Sequence, residues 1–387
     1  MGDVQSITLP APAGGLNEYD AVDQMPPFDA LELRNLFPVG TNVKLRGGIT
    51  SFCDTSNSSS QIRALYGLRL VDGTKKLVAS VNNKIYETST GTASNLTGAL
   101  AITNSDFNGF SFRNRLFLAN GTNTPIVYDG TAAANTGFTH ASLTQSDLIS
   151  FGSYKNWMYG IKNNSFKIYY AAVDAVTGAT TEYDMQSIFK LGGFLALGAS
   201  WTYQPAILSS EICMFISSEG EVVAYSGNTP ADWSMIARFV TGRPMGYRSL
   251  VQLENDLLLI TDQGIISLVE LFSTASTLSS ERIGQKINKR IRQAAAISGF
   301  DHRWHGKYWP NGTAAYINIP NGADNYYLVL NILTGAWCEY RFNTLKLASC
   351  LEVLDAQPYC GDGAGVVRKF EVASSDDSGI PISISWR

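Results

Sequence analysis

Two histidines three positions apart are the first residues in this sequence whose spacing suggests chemistry. His302 and His305 stand in the stretch "DHRWHGKYW", and two imidazoles at this spacing could share a metal ion on a helix. A zinc site needs at least one further protein ligand, and the third histidine, His140, is remote in the sequence. We therefore predict that the chain has no metal site.

The glycine string, the acidic pair and the cysteines are also interpreted as structural features. The string "GDGAGVV" from Gly361 stands between two strand patterns, so it is interpreted as a hairpin turn, and "SSDDSG" from Ser374 is interpreted as a polar turn. The sequence has no Walker, H-E-x-x-H, G-x-S-x-G or EF-hand motif, so we predict no catalytic residue, no cofactor and no enzyme. The cysteines form no C-x-x-C pair and are interpreted as buried thiols: Cys53, Cys213, Cys338, Cys350 and Cys360.

A basic segment offers the best candidate for an interaction surface. "SSERIGQKINKRIRQAAAISG" has isoleucines every four residues, which predicts one amphipathic helix capped by Ser279 or Ser280 and ended by Gly299. Its basic face is either a solvated surface or a docking surface for an acidic partner or a phosphate backbone. The basic residues of this predicted interaction surface are Arg282, Lys286, Lys289, Arg290 and Arg292.

The composition limits the classes of protein to which the chain could belong. Of the 387 residues, 45% are hydrophobic and only 16% are charged, and the net charge is −4. These values favour a sizeable core and argue against tight, salt-dependent binding to nucleic-acid phosphates. The N-terminus lacks the basic and apolar regions of a secretory signal, and no stretch of 18 apolar residues predicts a membrane span.

A repeated pattern places these residues in an all-β fold. Seven stretches each consist of an apolar strand, a turn rich in Asn, Gly, Asp or Pro, and a second apolar strand. Their spacing is about 40 residues with insertions, the size of a four-stranded propeller blade. We predict a β-propeller with about seven blades, six to eight being possible. The stretches begin at Lys76, Arg115, Trp157, Ile212, Leu257, Ala315 and Pro358.

The predicted organisation has two parts. Residues 1–50 form an N-terminal arm and closing strand, and residues 51–387 form the propeller, with a helical insertion at about 275–300. In the arm, Asp29 and Glu32 have the spacing of a capping box, which predicts one helical turn, and "NVKLRGGITSF" predicts a strand that helps to close the ring. The arm's apolar side chains must lie on this chain's propeller or on a neighbouring subunit.

Two tryptophans just beyond polar turns are predicted to pack between blades. Trp233 follows "SGNTPAD" and Trp337 follows "NILTGA". A large apolar ring in this position can seal a hairpin while its N–H reaches a backbone acceptor. A platform for stacking a ligand is the alternative interpretation.

Four stretches resemble the tail nozzle proteins of short-tailed bacteriophages, also described as tail tubular or packaged-DNA-stabilising proteins. They are "GGLN…MPPFDALELRNLFP…VKLRGG", "RSLVQLENDLLLITDQGIISL", "KINKRIRQAA" and "WHGKYWPNGTAAYINIPNGADNYYLVLNILTGAWCEY". The matching positions imply architectural roles only. Trp337 would pack a blade, and the residues that would shape the arm and its return strand are Gly14, Gly15, Asn35, Pro38, Arg46 and Gly48.

The resemblance implies a β-propeller subunit of a homo-oligomeric ring, a hexamer, below the portal and its head–tail adaptor proteins. Such a ring would retain packaged double-stranded DNA and conduct it without sequence preference during ejection. Tail fibres or spikes would be further partners. The location would be the virion tail, assembled in the host cytoplasm. The alternative is a glycan-binding or glycan-cleaving propeller, either a receptor-binding tail protein or a glycosidase whose acids come from several blades.

Overall fold

Seven mainly antiparallel β-sheets follow one another along the chain and stand side by side around a central channel. The computed structural model describes residues 10–203, 210–275, 277, 282–322, 325–342, 347–376 and 379–387. Each of the seven predicted hairpins forms the second and third strands of one sheet. The seven-bladed β-propeller is therefore confirmed.

The strands of the arm and of the first three blades follow in chain order. The arm contains β1 (Gly15–Leu16), β2 (Asp29–Ala30), β3 (Leu33–Arg34), β4 (Leu36–Val39), β5 (Asn42–Leu45) and β6 (Gly48–Asp54). Blade 1 contains β7 (Ile62–Arg69), β8 (Lys75–Val81), β9 (Lys84–Glu87) and β10 (Ser94–Asn95). Blade 2 contains β11 (Asn108–Phe112), β12 (Arg115–Ala119), β13 (Ile126–Tyr128) and β14 (Ala133–Asn135). Blade 3 contains β15 (Phe138–Thr139), β16 (Leu148–Tyr154), β17 (Trp157–Lys162), β18 (Lys167–Ala171) and β19 (Gly178–Asp184).

The remaining blades include two helices. Blade 4 contains β20 (Leu195–Tyr203), β21 (Ser210–Ser217), β22 (Glu221–Ser226) and β23 (Ser234–Val240). Blade 5 contains β24 (Leu250–Gln252), β25 (Leu257–Ile260) and β26 (Ile265–Ser267), followed by helices α1 (Leu268–Thr274) and α2 (Asn288–Ser298). Blade 6 contains β27 (His305–Trp309), β28 (Ala314–Ile319), β29 (Tyr326–Asn331) and β30 (Trp337–Tyr340). Blade 7 contains β31 (Leu347–Leu354), β32 (Gln357–Asp362) and β33 (Val366–Ala373), and β34 (Ser385–Trp386) follows it. Short 3-10 helices lie at Gln145–Asp147, Arg282–Gly284 and Pro310–Gly312.

Two-residue turns explain why several of these segments form tight hairpins. Asn82 and Asn83, between β8 and β9, have φ values of 49° and 57°. Lys155 and Asn156, between β16 and β17, have φ values of 43° and 66°. Turns with two residues in the left-handed region have the twist that antiparallel strands require, and asparagine tolerates that region better than most residues.

The front of the chain closes the ring. Strand β6 pairs antiparallel with β33, so it supplies the outer strand of blade 7, while β31 packs beside β7 of blade 1. The predicted closing strand is confirmed from Gly48 onward. The earlier part of "NVKLRGGITSF" instead forms β5, which pairs with β4 in a separate hairpin.

The helical turn predicted at Asp29 and Glu32 is wrong. Strand β2 pairs in parallel with β1, and β3 lies between β30 and β34 at the outer edge of blade 6. The side chain of Asp29 is buried and accepts hydrogen bonds from Asn17 and Lys286. Sheet pairing gives the backbone partners that one isolated helical turn would leave exposed.

The prediction of one helix from Ser279 to Gly299 is also corrected. In the described part of the insertion, a short 3-10 helix at Arg282–Gly284 precedes α2, which begins only at Asn288, and Ser279 and Ser280 lie outside the described residues. Ile291 of α2 is buried, and Gly299 ends the helix by donating its N–H to the carbonyl of Ala295. In the part of the chain that the structure describes, no helix is long and apolar enough to cross a membrane.

The arm lies on this chain's own propeller. Leu16, Leu33 and Phe37 are buried in the hydrophobic cluster that also contains Trp337 of blade 6. Phe28, by contrast, is 50% exposed. Of the two surfaces predicted for the arm, the same subunit's propeller therefore receives Leu16, Leu33 and Phe37, while other apolar side chains of the arm remain exposed.

One buried arginine joins the arm to three other parts of the chain. The guanidinium of Arg46 is fully buried and pairs with Asp376, with Nη1–Oδ1 and Nη2–Oδ2 distances of 2.8 and 2.6 Å. Its Nε donates to Asn35 Oδ1, and the remaining N–H groups reach the carbonyls of Gly47 and Arg341. All five N–H donors therefore have acceptors, which a buried guanidinium requires. We call these five residues the Arg46 junction.

Replacing Arg46 with methionine is expected to lower the free energy of unfolding by about 3–5 kcal/mol, because Asp376 would be left buried without its charge partner. Arg113→Met is the matched control. The Arg113–Asp174 ion pair is exposed, so its loss is expected to cost at most about 1 kcal/mol. Urea unfolding of both variants measures the difference. Equal losses would show that the junction does not stabilise the fold in this way.

Gly15→Ala is expected to destabilise the chain by about 2 kcal/mol more than Gly40→Ala. Both glycines have positive φ, 82° and 57°, so both substitutions introduce backbone strain. A Cβ on Gly15 would lie 2.5 Å from the backbone oxygen of Trp337, whereas one on Gly40 would meet open space. Thermal unfolding of the two variants compares their losses of stability, and the difference measures the cost of crowding the contact between the arm and blade 6. The same loss in both variants would contradict that tight contact.

Candidate functional site

The central channel brings together side chains from all seven blades. The innermost strands are β7, β11, β16, β20, β24, β27 and β31. They surround a cavity of about 200 Å³, which shares residues of its wall with a wider mouth of about 930 Å³. Polar residues of the cavity wall include Tyr66, Asn108, Arg248, His305 and Lys307.

Glycines in the inner strands let the blades pack closely around this cavity. A Cβ on Gly109 would lie 2.5 Å from the ring of Tyr66. A Cβ on Gly198 would lie 2.8 Å from the hydroxyl of Tyr159. Aromatic rings of neighbouring strands therefore fill space that other residues would occupy, which keeps the channel narrow.

Arg248 reaches across the channel and connects three blades. It precedes β24 of blade 5, and its Nε lies 3.2 Å from Asn108 Oδ1 of blade 2. Its Nη1 lies 3.1 Å from the carbonyl oxygen of Arg63 in blade 1, and its Nη2 donates to the carbonyl of Phe107. Sequence reasoning did not identify Arg248 as a site residue. The residue opens one of the stretches that carry the family resemblance, but no motif marks its role.

His305 is a buried neutral base in the cavity wall. His305 is the first residue of β27, and its Nδ1 lies 3.1 Å from the carbonyl oxygen of Arg303. A carbonyl can only accept, so Nδ1 carries the proton and Nε2 presents a lone pair. Burial, followed by the charge of Arg248, lowers the pKa of His305 to about 3. Among the described residues, Nε2 has no hydrogen-bond partner.

An ion pair forms another part of the wall. Lys307 Nζ lies 2.9 Å from Glu352 Oε2. Burial acts to lower the pKa of Lys307, but the neighbouring Glu352 carboxylate outweighs it, so this pKa is above its usual value. Lys307 is therefore cationic at neutral pH. With Arg248 also charged, this part of the cavity has one more positive charge than negative charge.

The second histidine of the H-x-x-H pair faces a different partner. His302 Nε2 lies 2.9 Å from Asp106 Oδ1, and Arg63 Nε lies 3.0 Å from the same oxygen. Burial acts to raise the pKa of Asp106, but the hydrogen bond and charge of His302 and the charge of Arg63 outweigh it and lower that pKa. Among the described residues, no group of three or more His, Cys, Asp or Glu side chains could hold a metal ion.

The five basic residues of the predicted interaction surface have two kinds of environment. Lys286 lies 2.8 Å from the buried carboxylate of Asp29, and Arg290 pairs with Glu18 and Glu339. These two side chains fasten the arm to the insertion. The exposed members are Arg282, Lys289 and Arg292, so they are the ones that can reach a partner.

The seven architectural positions lie where the arm meets blade 6 and the closing strand. Gly14 leaves room for the carboxylate of Asp29, and Gly48 leaves room for the backbone of Ser375. Asn331 Nδ2 donates to the carbonyl of Pro38 at 2.8 Å. Gly15 lies against the backbone of Trp337, and Asn35 Oδ1 accepts a hydrogen bond from Arg46 Nε.

The two tryptophans behave differently. Trp337 is buried, and its indole N–H donates to the carbonyl of Ile283 at 2.7 Å, as predicted. Trp233 stacks on Tyr225 with a centroid distance of 4.8 Å, but its Nε1 has no partner among the described residues. The predicted N–H contact is therefore wrong for Trp233, because the ring lies within an aromatic cluster.

The remaining motifs have structural roles. All five cysteines are buried free thiols, and the glycine string forms the turn between β32 and β33, as predicted. The acidic pair is more than a turn, because Asp376 is the ion-pair partner of Arg46. Asp377 lies outside the described residues.

Comparisons with known proteins establish the fold alone. No family model and no curated protein matches the chain. The WD40 β-propeller domain of Doa1 aligns with a TM-score of 0.51 and 9% identity, over 84% of this chain and 97% of that chain. Virginiamycin B lyase from Staphylococcus aureus aligns with a TM-score of 0.52 and 11% identity, over 83% and 98%. BBS1N in complex with ARL6DN aligns with a TM-score of 0.52 and 13% identity, over 84% and 97%.

The pH dependence of stability tests the environment of His305. Its folded pKa of about 3 is below its ordinary value of 6.5, so below about pH 6.5 the unfolded chain binds a proton that the folded chain does not. This contribution to stability is present above pH 6.5 and is lost as the pH falls toward 3. His305→Phe removes it. Between pH 6.5 and 4.5, the wild type is expected to lose about 2–3 kcal/mol more than this variant.

The measurement is urea unfolding at a series of pH values. His140→Phe is the matched control, since His140 lies outside the cavity wall and its Nδ1 contacts Ser142. This control should lose as much stability as the wild type over the same range. Parallel pH profiles for His305→Phe and the wild type would contradict a buried neutral His305.

Proposed function

We propose that this chain is a structural subunit of a bacteriophage tail nozzle, in which several copies form a ring that retains and conducts double-stranded DNA. The main support for the proposal is that residues which carry the family resemblance lie close together in the structure. Gly15, Asn35 and Arg46 are far from Trp337 in the sequence, yet all four lie where the arm meets blade 6. The resemblance therefore falls on residues that one shared arrangement of the arm would require.

The narrow channel determines where DNA would pass in such an assembly. The cavity on the propeller axis has a volume of about 200 Å³. This is below the range of ordinary small-molecule pockets, and the major groove of DNA alone is about 12 Å wide. DNA would therefore pass through the centre of the ring of subunits and not along the axis of one propeller.

The charge of the chain is consistent with a channel that binds DNA only weakly. The net charge is −4, and two of the five basic residues in the insertion are held in internal ion pairs. Affinity for DNA depends on the number of phosphates that basic groups neutralise. A chain with a low fraction of charged residues and a net negative charge would let the duplex slide.

A ring of identical subunits needs two complementary patches on each subunit. The loop between β1 and β2 offers one of them, because Tyr19 is 64% exposed, Val22 is 71% exposed and Phe28 is half-exposed. Three large apolar side chains on one short loop favour contact with another protein surface. We propose that this loop packs on a neighbouring copy, while the body of the arm remains on its own blade 6.

The remaining assignments follow from the same proposal. The ring would be a hexamer in the virion tail, assembled in the host cytoplasm. Head–tail adaptor proteins would bind one face, and tail fibres or spikes would bind the ring elsewhere. Arg282, Lys289 and Arg292 would contribute to one of these contacts.

The glycan-cleaving alternative would be favoured by carboxylates of raised pKa at the channel. Burial raises the pKa of Glu371, but its oxygens accept hydrogen bonds from Gly47 N–H and the Tyr316 hydroxyl near the Arg46 junction. Glu352, in the channel, is held by Lys307. Neither carboxylate supplies an observation in favour of that alternative.

The assembly role is tested with the purified chain. Light scattering after size exclusion is expected to show an oligomer at high protein concentration, and electron microscopy is expected to show rings. The double variant Tyr19→Ser, Val22→Ser should shift the equilibrium to monomer, because it removes apolar area from the contact. Val71→Ser is the control, since Val71 is 89% exposed on blade 1 and should not affect assembly. A monomer at every concentration would contradict self-assembly, and equal effects of both variants would contradict the role of the loop.

The virion role needs a separate experiment. Antibody-gold labelling of intact particles from the source is expected to mark the single tail vertex. If the tails are labelled and the purified double variant forms weaker rings, both parts of the proposal are supported. Absence of the protein from intact particles would overturn the nozzle function.

A further inference from the structure

The polar cavity on the propeller axis contains donors and an acceptor that have no hydrogen-bond partner among the described residues. Arg248 is the main donor. Its three contacts take one N–H from each guanidinium nitrogen, so Nη1 and Nη2 each retain a second N–H. The side chain lines the cavity. It therefore offers two N–H groups to a ligand there.

His305 supplies the acceptor. It is only 5% exposed, it lines the same cavity, and its Nε2 has no partner in the part of the chain that the structure describes. Its proton is on Nδ1, because that atom contacts the Arg303 carbonyl. A buried acceptor without a donor costs free energy, so a ligand that brings an O–H group would be stabilised.

The cavity's charge selects among ligands that carry such a group. Arg248 and Lys307 contribute two positive charges to the cavity wall, and Glu352, which lines the wider mouth, contributes one negative charge beside Lys307. The positive potential of Arg248 and Lys307 also acts on His305, where it adds to burial in lowering the pKa. A small anion is therefore favoured over a neutral alcohol or a cation.

We propose that this cavity binds an oxyanion that retains a proton, with inorganic phosphate as its simplest form. The ionised oxygens accept from Arg248, and the P–O–H group donates to Nε2 of His305. A volume of about 200 Å³ holds one such ion together with water. The wide mouth of about 930 Å³, which shares Tyr66 and Lys307 with the cavity wall, gives access from solvent. This site is independent of the proposed assembly of the chain into a ring.

Sulfate is the discriminating control, because it resembles phosphate in size and shape but carries no proton at neutral pH. One of its oxygens would face the lone pair of His305. Isothermal titration calorimetry at pH 7.5 is expected to show one phosphate bound per chain. Sulfate at the same ionic strength should bind at least about tenfold more weakly, which corresponds to the loss of about one hydrogen bond. Equal binding of the two ions would overturn the proposal, because it would show that the site does not recognise the proton of phosphate. No saturable heat with phosphate would also overturn it and would indicate a cavity that holds water only.

Variants locate the site. His305→Phe is expected to reduce phosphate affinity at least tenfold, and Arg248→Lys is expected to reduce it at least fivefold, because one ammonium cannot replace two guanidinium N–H groups. His140→Phe is the control and should bind phosphate as the wild type does. Unchanged affinity in His305→Phe would overturn the proposal. If either channel variant fails to fold, the selectivity of the wild type for phosphate over sulfate still decides the question.

Discussion

The buried guanidinium of Arg46 is the interaction on which the closure of this propeller depends. A charge without exposure to water must be neutralised and hydrogen-bonded at every donor, and Asp376 together with three other residues does this. These acceptors come from the arm, the start of the closing strand, the end of blade 6 and the segment after blade 7. The guanidinium is therefore satisfied only when all four segments are in place. Because Gly48 begins β6 two residues later, the same contact also fixes where the ring closes.

The blades could be predicted because their pattern is local. Each central hairpin contains its own strands and its own turn within about 16 residues, so alternation and turn residues are sufficient to locate it. The arm could not be predicted in this way. Strand β3 pairs with β30 and β34, whose residues come after position 330, and Asp29 is held by Lys286 instead of capping a helix. Local spacing indicated a capping box, but distant partners determined the structure.

The channel residues were hidden from sequence reasoning for a related reason. Arg248, Asn108 and His305 come from three different blades, and their meeting depends on the register of inner strands that no motif records. The spacing of the H-x-x-H pair suggested two imidazoles on one face of a helix. His305 instead begins a strand, while His302 stands before it and faces Asp106. A spacing of three residues would place both histidines on one face of a helix. At the start of a strand, the same spacing leaves the two side chains with different partners.

The structure separates the axis of the propeller from its rim. On the axis, aromatic rings and an arginine close the channel to anything larger than a small molecule. At the rim, β3 of the arm and β34 from the end of the chain extend blade 6 to six strands, and the arm carries exposed apolar side chains on the loop between β1 and β2. A large partner therefore has access to the rim but not to the axis. The Arg46 junction fastens the part of the arm that follows β3, while Lys286 and Arg290 of the insertion hold Asp29 and Glu18. These ion pairs therefore position the loop that is proposed to meet a neighbouring copy of the chain.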